Sequence, residues 1–174
     1  MKPNTLALVL ACVALLWSAG ASAQTKEPSP SVSAIIKSVA RDPATFAPVA
    51  LKYVAMRLDW ESSQIFFQHG FVEHNARYTV SGLEDDVAVS HGTGHRRLAM
   101  ESLRLFARTV PQNLAERATE TLLIRRFPQH RKLFVIAGQA ARIAGASYVA
   151  YAWSRPNIDQ WRRNERLAAQ MGLK

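Results

Sequence analysis

Residues 48–70 read PVALKYVAMRLDWESSQIFFQHG, and this stretch decides the fold. Apolar side chains recur along one face at the spacing of an α-helix: Val49, Tyr53, Met56, Trp60 and Phe67. A second apolar set falls on nearly the opposite side: Leu51, Val54, Leu58 and Ile65. A helix that is apolar on two sides is typical of the centre of a bundle. We therefore expect a long central helix over residues 48–69, ended by Gly70.

Helical periodicity also predicts the elements around this one. We expect helices over residues 32–41, 96–110, 112–127, 128–153 and from 154 onward, separated by prolines because proline cannot continue the backbone hydrogen bonding of a helix. The prolines at these predicted breaks are Pro43, Pro111, Pro128 and Pro156. Residues 71–95 carry glycines and an acidic run without helical spacing, which predicts a long loop. The fold class is therefore an all-α bundle of five or six helices with one long central loop.

The N-terminus has the organisation of a secretory signal peptide over residues 1–23. Lys2 is followed by an apolar run, and the small residues before Gln24 predict cleavage after Ala23. Residues 24–33 are rich in Pro and Ser and predict a flexible leader, which leaves 34–174 as a single helical domain. Lipoprotein processing at Cys12 remains an alternative. We expect a periplasmic or secreted protein, with membrane association open.

The cysteine count excludes several chemistries from the exported chain. The only cysteine of the 174 residues is Cys12, which leaves with the signal peptide. Disulfides, thiolate metal ligands and a cysteine nucleophile are therefore excluded. A chain of about 150 residues buries about 68–70% of its unfolded surface, which is enough for a core without such links.

Positive charge is concentrated in the C-terminal half. Residues 96–174 carry fifteen basic and five acidic side chains, whereas residues 24–95 carry six basic and eight acidic ones. We predict a basic binding surface in this half: Arg125, Arg126, Arg131, Lys132, Arg162, Arg163 and Arg166. Export removes the chain from cytoplasmic nucleic acid, so we expect the partner to be an anionic lipid, a glycan or an acidic envelope protein.

Residues 133–153, LFVIAGQAARIAGASYVAYAW, form the most apolar segment after the signal peptide. Their length is sufficient for a membrane span. Arg142 lies at the middle of the segment, where a charge is unfavourable in lipid by about 2.5–3.5 kcal/mol. We favour a buried core helix and keep an inner-membrane anchor as an alternative. Small residues such as Gly138 and Gly145 would allow close helix packing in either setting.

Polar residues in the second half of the central helix and in the loop after it offer the one location where catalytic or metal chemistry could occur. Asp59 and Ser63 share a helix face because they are four residues apart. His91 and His95 have the spacing of metal ligands on a helix, but the glycines between them argue against a helix there. Glu73 or His69 would have to complete the site. Sequence motifs for nucleophilic catalysis are absent. Asp59 and Glu73 could act as an acid–base pair if the loop folds over the helix.

The pattern Asp59-Trp60-Glu61-Ser62-Ser63-Gln64, followed by Glu73-His74-Asn75, resembles one in small bacterial envelope proteins. In that group an Asp-x-x-x-Ser/Thr-Gln stretch ends a helix and a Glu-x-Asn-Pro turn follows; Ala76 stands in place of the proline here. The resemblance implies an envelope location, a helical architecture and one polar constellation: Asp59, Ser63, Gln64, Glu73 and Asn75. Members of that group are embedded in membranes, whereas Lys52, Arg57 and Glu61 suit a helix in water.

We therefore expect an exported envelope protein that binds a partner rather than catalyses a reaction, without a cofactor, through its basic half. The polar constellation would then hold the loop against the helix. A metal- or carboxylate-dependent hydrolase centred on Asp59 and the 73–95 loop is the alternative. The sequence predicts no oligomeric state.

Overall fold

The computed structural model describes residues 31–173, and most of them are helical. Four α-helices follow one another: α1 (Val32–Arg41), α2 (Pro43–Gln68), α3 (His91–Arg126) and α4 (Arg131–Gln170). Short 3₁₀ turns occupy Ala76–Tyr78 and Pro128–His130. Within the described range there is no β-strand, only two isolated bridges. The all-α prediction is confirmed.

The first two helices begin at capping side chains. Ser31 caps α1 through a bond from the Ala34 amide to its hydroxyl, and the Asp42 carboxylate accepts the Ala44 amide at the start of α2. Polar caps of this kind satisfy amides that have no partner inside the helix. The predicted leader is wrong at its end, because residues 31–33 belong to α1 and its cap. The signal peptide, the Cys12 alternative and the rest of the leader lie outside the described residues.

Residues 31–173 form four α-helices instead of the predicted five or six, because the expected breaks at Pro111 and Pro156 lie inside helices. A third proline is also internal, and the central helix therefore begins before it. Pro48 is inside α2, Pro111 inside α3 and Pro156 inside α4. Each proline removes one backbone hydrogen bond. The helices nevertheless continue because packing holds both flanks of the break. In α3, for example, Thr109 and Asn113 are both buried on either side of Pro111.

The central helix α2 packs against both α3 and α4. It runs parallel to α4, since Asp42 pairs with Arg142 and Asp59 with Asn164. It runs antiparallel to α3. The core lies near its middle: Met56, Trp60, Val89 and Leu98. Leu51 and Val54 are exposed, so the prediction that both sides of this helix are covered is wrong.

A loop over residues 69–90 joins α2 to α3, as predicted, although α3 begins at His91, five residues before the predicted start at residue 96. Two bridges, Glu73 with Asp86 and Thr79 with Ala88, fold the loop back on itself. Thr79 is fully buried, and its hydroxyl donates to the carbonyl oxygens of Ala76 and Leu83. The loop is therefore an ordered arch over the end of the core.

Helix α4 is exposed over most of its apolar stretch. Among residues 31–173, Pro128–Gln170 is the one segment long and apolar enough to cross a membrane, and 11% of its apolar window is buried. Only Arg142 and Ala150 are buried between residues 133 and 153. The interpretation of this segment as a buried core helix is therefore wrong, because most of it is exposed even though it packs against α2 and α3.

Candidate functional site

A cleft of about 480 Å³ opens between α2, α4 and the loop. Its walls are largely apolar: Met56, Trp60, Phe67, Phe71, Tyr78 and Leu98. Its polar side chains come from all three elements: Asp59, Ser63, Glu73, Asn75, Asn157 and Asn164. Apolar walls with a few convergent polar groups are the usual form of a small-molecule site.

Asp59 lies at the polar side of the cleft, where α4 supplies its hydrogen-bond donors. The Asn157 amide donates to its carboxylate at 2.9 Å, and the Asn164 amide approaches the other oxygen at 3.5 Å. Asn164 also donates to Ser62 and Ser63 at 3.0 and 2.9 Å. Lys52 completes the network by donating to the Asn157 side-chain carbonyl. The two asparagines are seven residues apart and therefore occupy one face of α4.

The environment of Asp59 changes its proton affinity. Burial raises the pKa of its carboxyl to about 6, and the hydrogen bond from Asn157 opposes that shift. The negative charge of Glu73 raises the pKa further, while Lys52 lowers it. A carboxyl with a pKa near 6 holds a proton part of the time at neutral pH, which suits it to proton transfer or to binding a neutral polar group.

The predicted polar constellation comes together only in part. Asp59, Ser63, Glu73 and Asn75 line the cleft, but Gln64 does not and instead donates to the Trp60 carbonyl at 3.0 Å. The expectation that Asp59 and its neighbours hold the loop is wrong, since their hydrogen bonds go to α4. The Glu73–Asn75 turn is stabilised by a hydrogen bond of its own, which the Asn75 backbone amide donates to the Glu73 carboxylate at 2.7 Å.

A buried ionic cluster joins α2, α3 and α4 at the other end of α2. Arg142 contacts the carboxylates of Glu120 and Asp42, the latter at 3.3 Å. Arg117 contacts the same Asp42 at 2.7 Å. Burial would raise the Asp42 pKa, but the hydrogen bonds from Ala44 and Arg117 and the two guanidinium charges hold it below its ordinary value. The charge that the sequence places in the middle of the apolar segment is therefore neutralised inside the bundle.

The predicted basic surface divides into two separate groups. Arg125, Arg126, Arg131 and Lys132 are exposed around the turn between α3 and α4. Arg162, Arg163 and Arg166 are exposed near the end of α4. About 30 residues of helix separate the groups, a distance of about 45 Å. They cannot act as one contact surface.

The first group belongs to what we call the hairpin end, residues 121–141. No acidic side chain occurs in this range. Large apolar side chains are exposed before, between and after the basic ones: Leu122, Leu123, Phe127, Leu133, Val135 and Ile136. Phe134 contacts the rings of Phe127 and His130 across the turn, each at 6.3 Å between ring centres, and makes the turn compact. The second group differs because Asp159 and Glu165 lie among its arginines.

His91 and His95 lie on the first turn of α3, so the prediction that the glycines prevent a helix there is wrong. Glu73 does not join them; Glu61 of α2 does. His91 Nε2 is 3.0 Å from Glu61 Oε2, and His95 Nε2 is 3.0 Å from Glu61 Oε1. The two histidine Nε2 atoms are 3.1 Å apart. Glu61, the third member of this trio, is one of two features that sequence reasoning missed.

Asn157 and Asn164 are the other missed feature. The signal that could have found them was their seven-residue spacing, which matches two turns of a helix and pairs with the Asp59, Ser62, Ser63 face of α2. The signal for Glu61 was weaker, since thirty residues and a loop separate it from His91.

Comparison of the chain with protein-family models, with curated proteins and with solved structures gives no match.

Proposed function

We propose that the protein is an exported envelope protein that attaches to an anionic lipid surface through the hairpin end. The observation that carries the proposal is the composition of that end, where four exposed basic side chains and several exposed apolar ones occur together without an acidic residue. Basic side chains near an anionic leaflet contribute about 1 kcal/mol each, and apolar side chains enter the interface.

The exposed apolar area supports lipid over a purely polar ligand. Ile136 is 66% exposed and Leu122 is 61% exposed, both within a few residues of a basic side chain. A soluble anion or a glycan would pair with the charges but leave these side chains in water. A lipid interface accommodates both kinds of group at once.

Peripheral attachment is favoured over a membrane span by the buried ionic cluster. A span over residues 133–153 would place Arg142, Glu120 and Asp42 together in the hydrocarbon region, where charges are strongly unfavourable. In the peripheral arrangement these groups remain inside the bundle, and only the hairpin end reaches the lipid headgroups.

Vesicle sedimentation tests the proposal. The exported chain, residues 24–174, should sediment with phosphatidylcholine vesicles that contain phosphatidylglycerol, not with phosphatidylcholine alone, and added salt should release it. Replacing Arg125, Arg126, Arg131 and Lys132 by Ser should abolish sedimentation. The matched control replaces Arg162, Arg163 and Arg166 by Ser and should sediment like the parent. Equal binding by the two variants would refute the proposal, and retention through high salt and carbonate would indicate a span.

A second candidate function, a carboxylate-dependent hydrolase, is favoured by one observation: Asp59, with its pKa near 6, lines the same cleft as Glu73. An acid and a base in one partly apolar cleft can divide proton transfer between them. Chromogenic esters, phosphates and glycosides should then be turned over by the parent and not by Asp59→Asn. Asp159→Asn, at an exposed carboxylate on α4, is the control and should keep the activity.

A further inference from the structure

We propose that Glu61, His91 and His95 form a binding site for one divalent transition-metal ion of the Zn²⁺ class. The site lies on the side of α2 away from Asp59, because residues 59 and 61 are about 200° apart around a helix. It is also about 40 Å along α3 from the hairpin end, so it is independent of the proposed lipid contact.

The distances between the three side chains match those of a metal site. The contacts from Glu61 to His91 and to His95 are 3.0 Å each, and the two histidine nitrogens are 3.1 Å apart. Zinc bonds of about 2.0–2.2 Å in tetrahedral geometry place neighbouring ligand atoms about 3.3 Å apart. The two contacts run to different oxygens of the Glu61 carboxylate, and one ligand atom from each of the three side chains lies within 4.8 Å of the others. One ion would therefore reach all three groups with small side-chain adjustments.

Hydrogen bonding alone does not satisfy this arrangement. Three close contacts join His91 Nε2, His95 Nε2 and the Glu61 carboxylate, and each contact needs one hydrogen atom between its two partners. An ionised carboxylate supplies none, and each ring Nε2 supplies at most one. One contact therefore always brings two lone pairs or two hydrogens together. A cation removes the conflict, because every lone pair then points to it.

The backbone beneath the three ligands is held by a close contact. Trp60, the neighbour of Glu61, packs its indole edge directly on Gly94, the neighbour of His95. A Cβ added at Gly94 would overlap the Trp60 ring, so the two helices are as close as glycine permits. Ligands on rigid, closely packed elements keep their geometry when a metal binds or leaves.

Two histidines and one glutamate are a ligand set that zinc uses when a coordination position stays open. The side chains are partly exposed, with 52% of His91, 29% of His95 and 40% of Glu61 accessible. The open position would therefore face solvent and hold a water molecule or an anionic ligand. The ion would also link α2 to the first turn of α3 across the 69–90 loop.

Equilibrium dialysis of the full chain, prepared without a polyhistidine tag, against Zn²⁺ tests the site. The parent should retain about one equivalent, and His91→Asn, His95→Asn and Glu61→Gln should each lower the affinity at least about tenfold. His74→Asn is the matched control, because His74 is an exposed histidine that pairs with Asp85. Zinc should raise the Tm of the parent and the control but not of the ligand variants.

Cobalt gives a second readout that a change in folding cannot imitate. Co²⁺ in a tetrahedral site of nitrogen and oxygen ligands should show visible absorption bands, and these should be lost in the ligand variants. Each ligand variant should have the Tm of the parent without metal, since the replaced groups lie at the surface. Less than stoichiometric zinc in the parent, or equal losses in His74→Asn and His91→Asn, would overturn the proposal.

Discussion

The guanidinium of Arg142 lies against the carboxylate of Glu120 in the interior between α4 and α3. Only 4% of Arg142 and 9% of Glu120 are exposed. Asp42 and Arg117 flank the pair, so two acidic and two basic groups balance each other in one buried cluster. Buried charges that lose a partner are far less favourable than buried charges that keep one.

Removing one member of the pair should destabilise the protein strongly. Arg142→Met leaves Glu120 buried beside a single remaining guanidinium, and Glu120→Leu leaves Arg142 with Asp42 alone. We expect each variant to lower the free energy of unfolding by about 3–5 kcal/mol in urea titrations. The double variant should lose clearly less free energy of unfolding than the sum of the two single losses. Additive losses would show that the two side chains do not interact.

Gly138 should be intolerant of a methyl group, whereas Gly145 on the same helix should accept one. A Cβ at Gly138 would be 2.5 Å from the Glu120 carboxylate, and one at Gly145 would meet nothing within 4 Å. We expect Gly138→Ala to lower the free energy of unfolding by about 1–3 kcal/mol. Gly145→Ala should raise it by about 0.5–1 kcal/mol, because alanine favours a helix. The two urea midpoints should move in opposite directions.

A second glycine pair tests the contact between α2 and α3. Gly94→Ala should lower the free energy of unfolding by about 1–3 kcal/mol, because its Cβ would overlap the buried Trp60 ring. Gly92→Ala, two residues earlier, has open space around it and should be neutral or slightly stabilising. Thermal melts of the two variants and the parent measure this difference in stability. Equal stability of the two would contradict the close approach.

Asp59→Asn should stabilise the protein in a pH-dependent way. The pKa of the carboxyl is about 6 in the folded chain, whereas its ordinary value is 3.8, so folding disfavours the charged form. This penalty is fully present above about pH 6 and disappears as the pH falls towards 3.8. The shift corresponds to at most about 3 kcal/mol, which partial exposure reduces to about 1–2 kcal/mol.

The check on Asp59→Asn is urea unfolding at about pH 8 and about pH 4, on either side of the shifted pKa. The variant should be more stable than the parent at the higher pH and nearly equal to it at the lower one. Asp159→Asn, at an exposed carboxylate that pairs with Arg155, should change little at either pH. A variant less stable than the parent at the higher pH would show that Asp59 is stabilised in its charged form.

The helices could be predicted from the sequence because their periodicity is local. The short α1, the central helix up to His69 and the loop that follows were all indicated by apolar spacing and glycine. The continuity of α3 and α4 could not be predicted. Whether a helix survives Pro111 or Pro156 depends on packing from residues far away in the chain, such as the bond from Asn113 to Thr45.

The candidate sites were predictable only where their members lie close in sequence. Asp59 and Ser63 share a helix face, and the four basic residues at the α3–α4 turn are nearly consecutive. Asn164 reaches Asp59 across 105 residues, and no local pattern indicates such a pairing. The sequence did indicate His91 and His95, but their third partner depends on how closely α2 approaches α3.

The buried ionic cluster also constrains the order of folding. Its four charges come from two helices, α3 and α4, and from the cap of α2, and Arg117 is 75 residues from its partner Asp42. A chain in which α2 and α3 have docked without α4 would leave Glu120 with Arg117 alone and no Arg142. Such a partial assembly is disfavoured because it buries an incompletely paired carboxylate. Docking of α4 should therefore coincide with closure of the cluster, and this end of the bundle should form late and cooperatively.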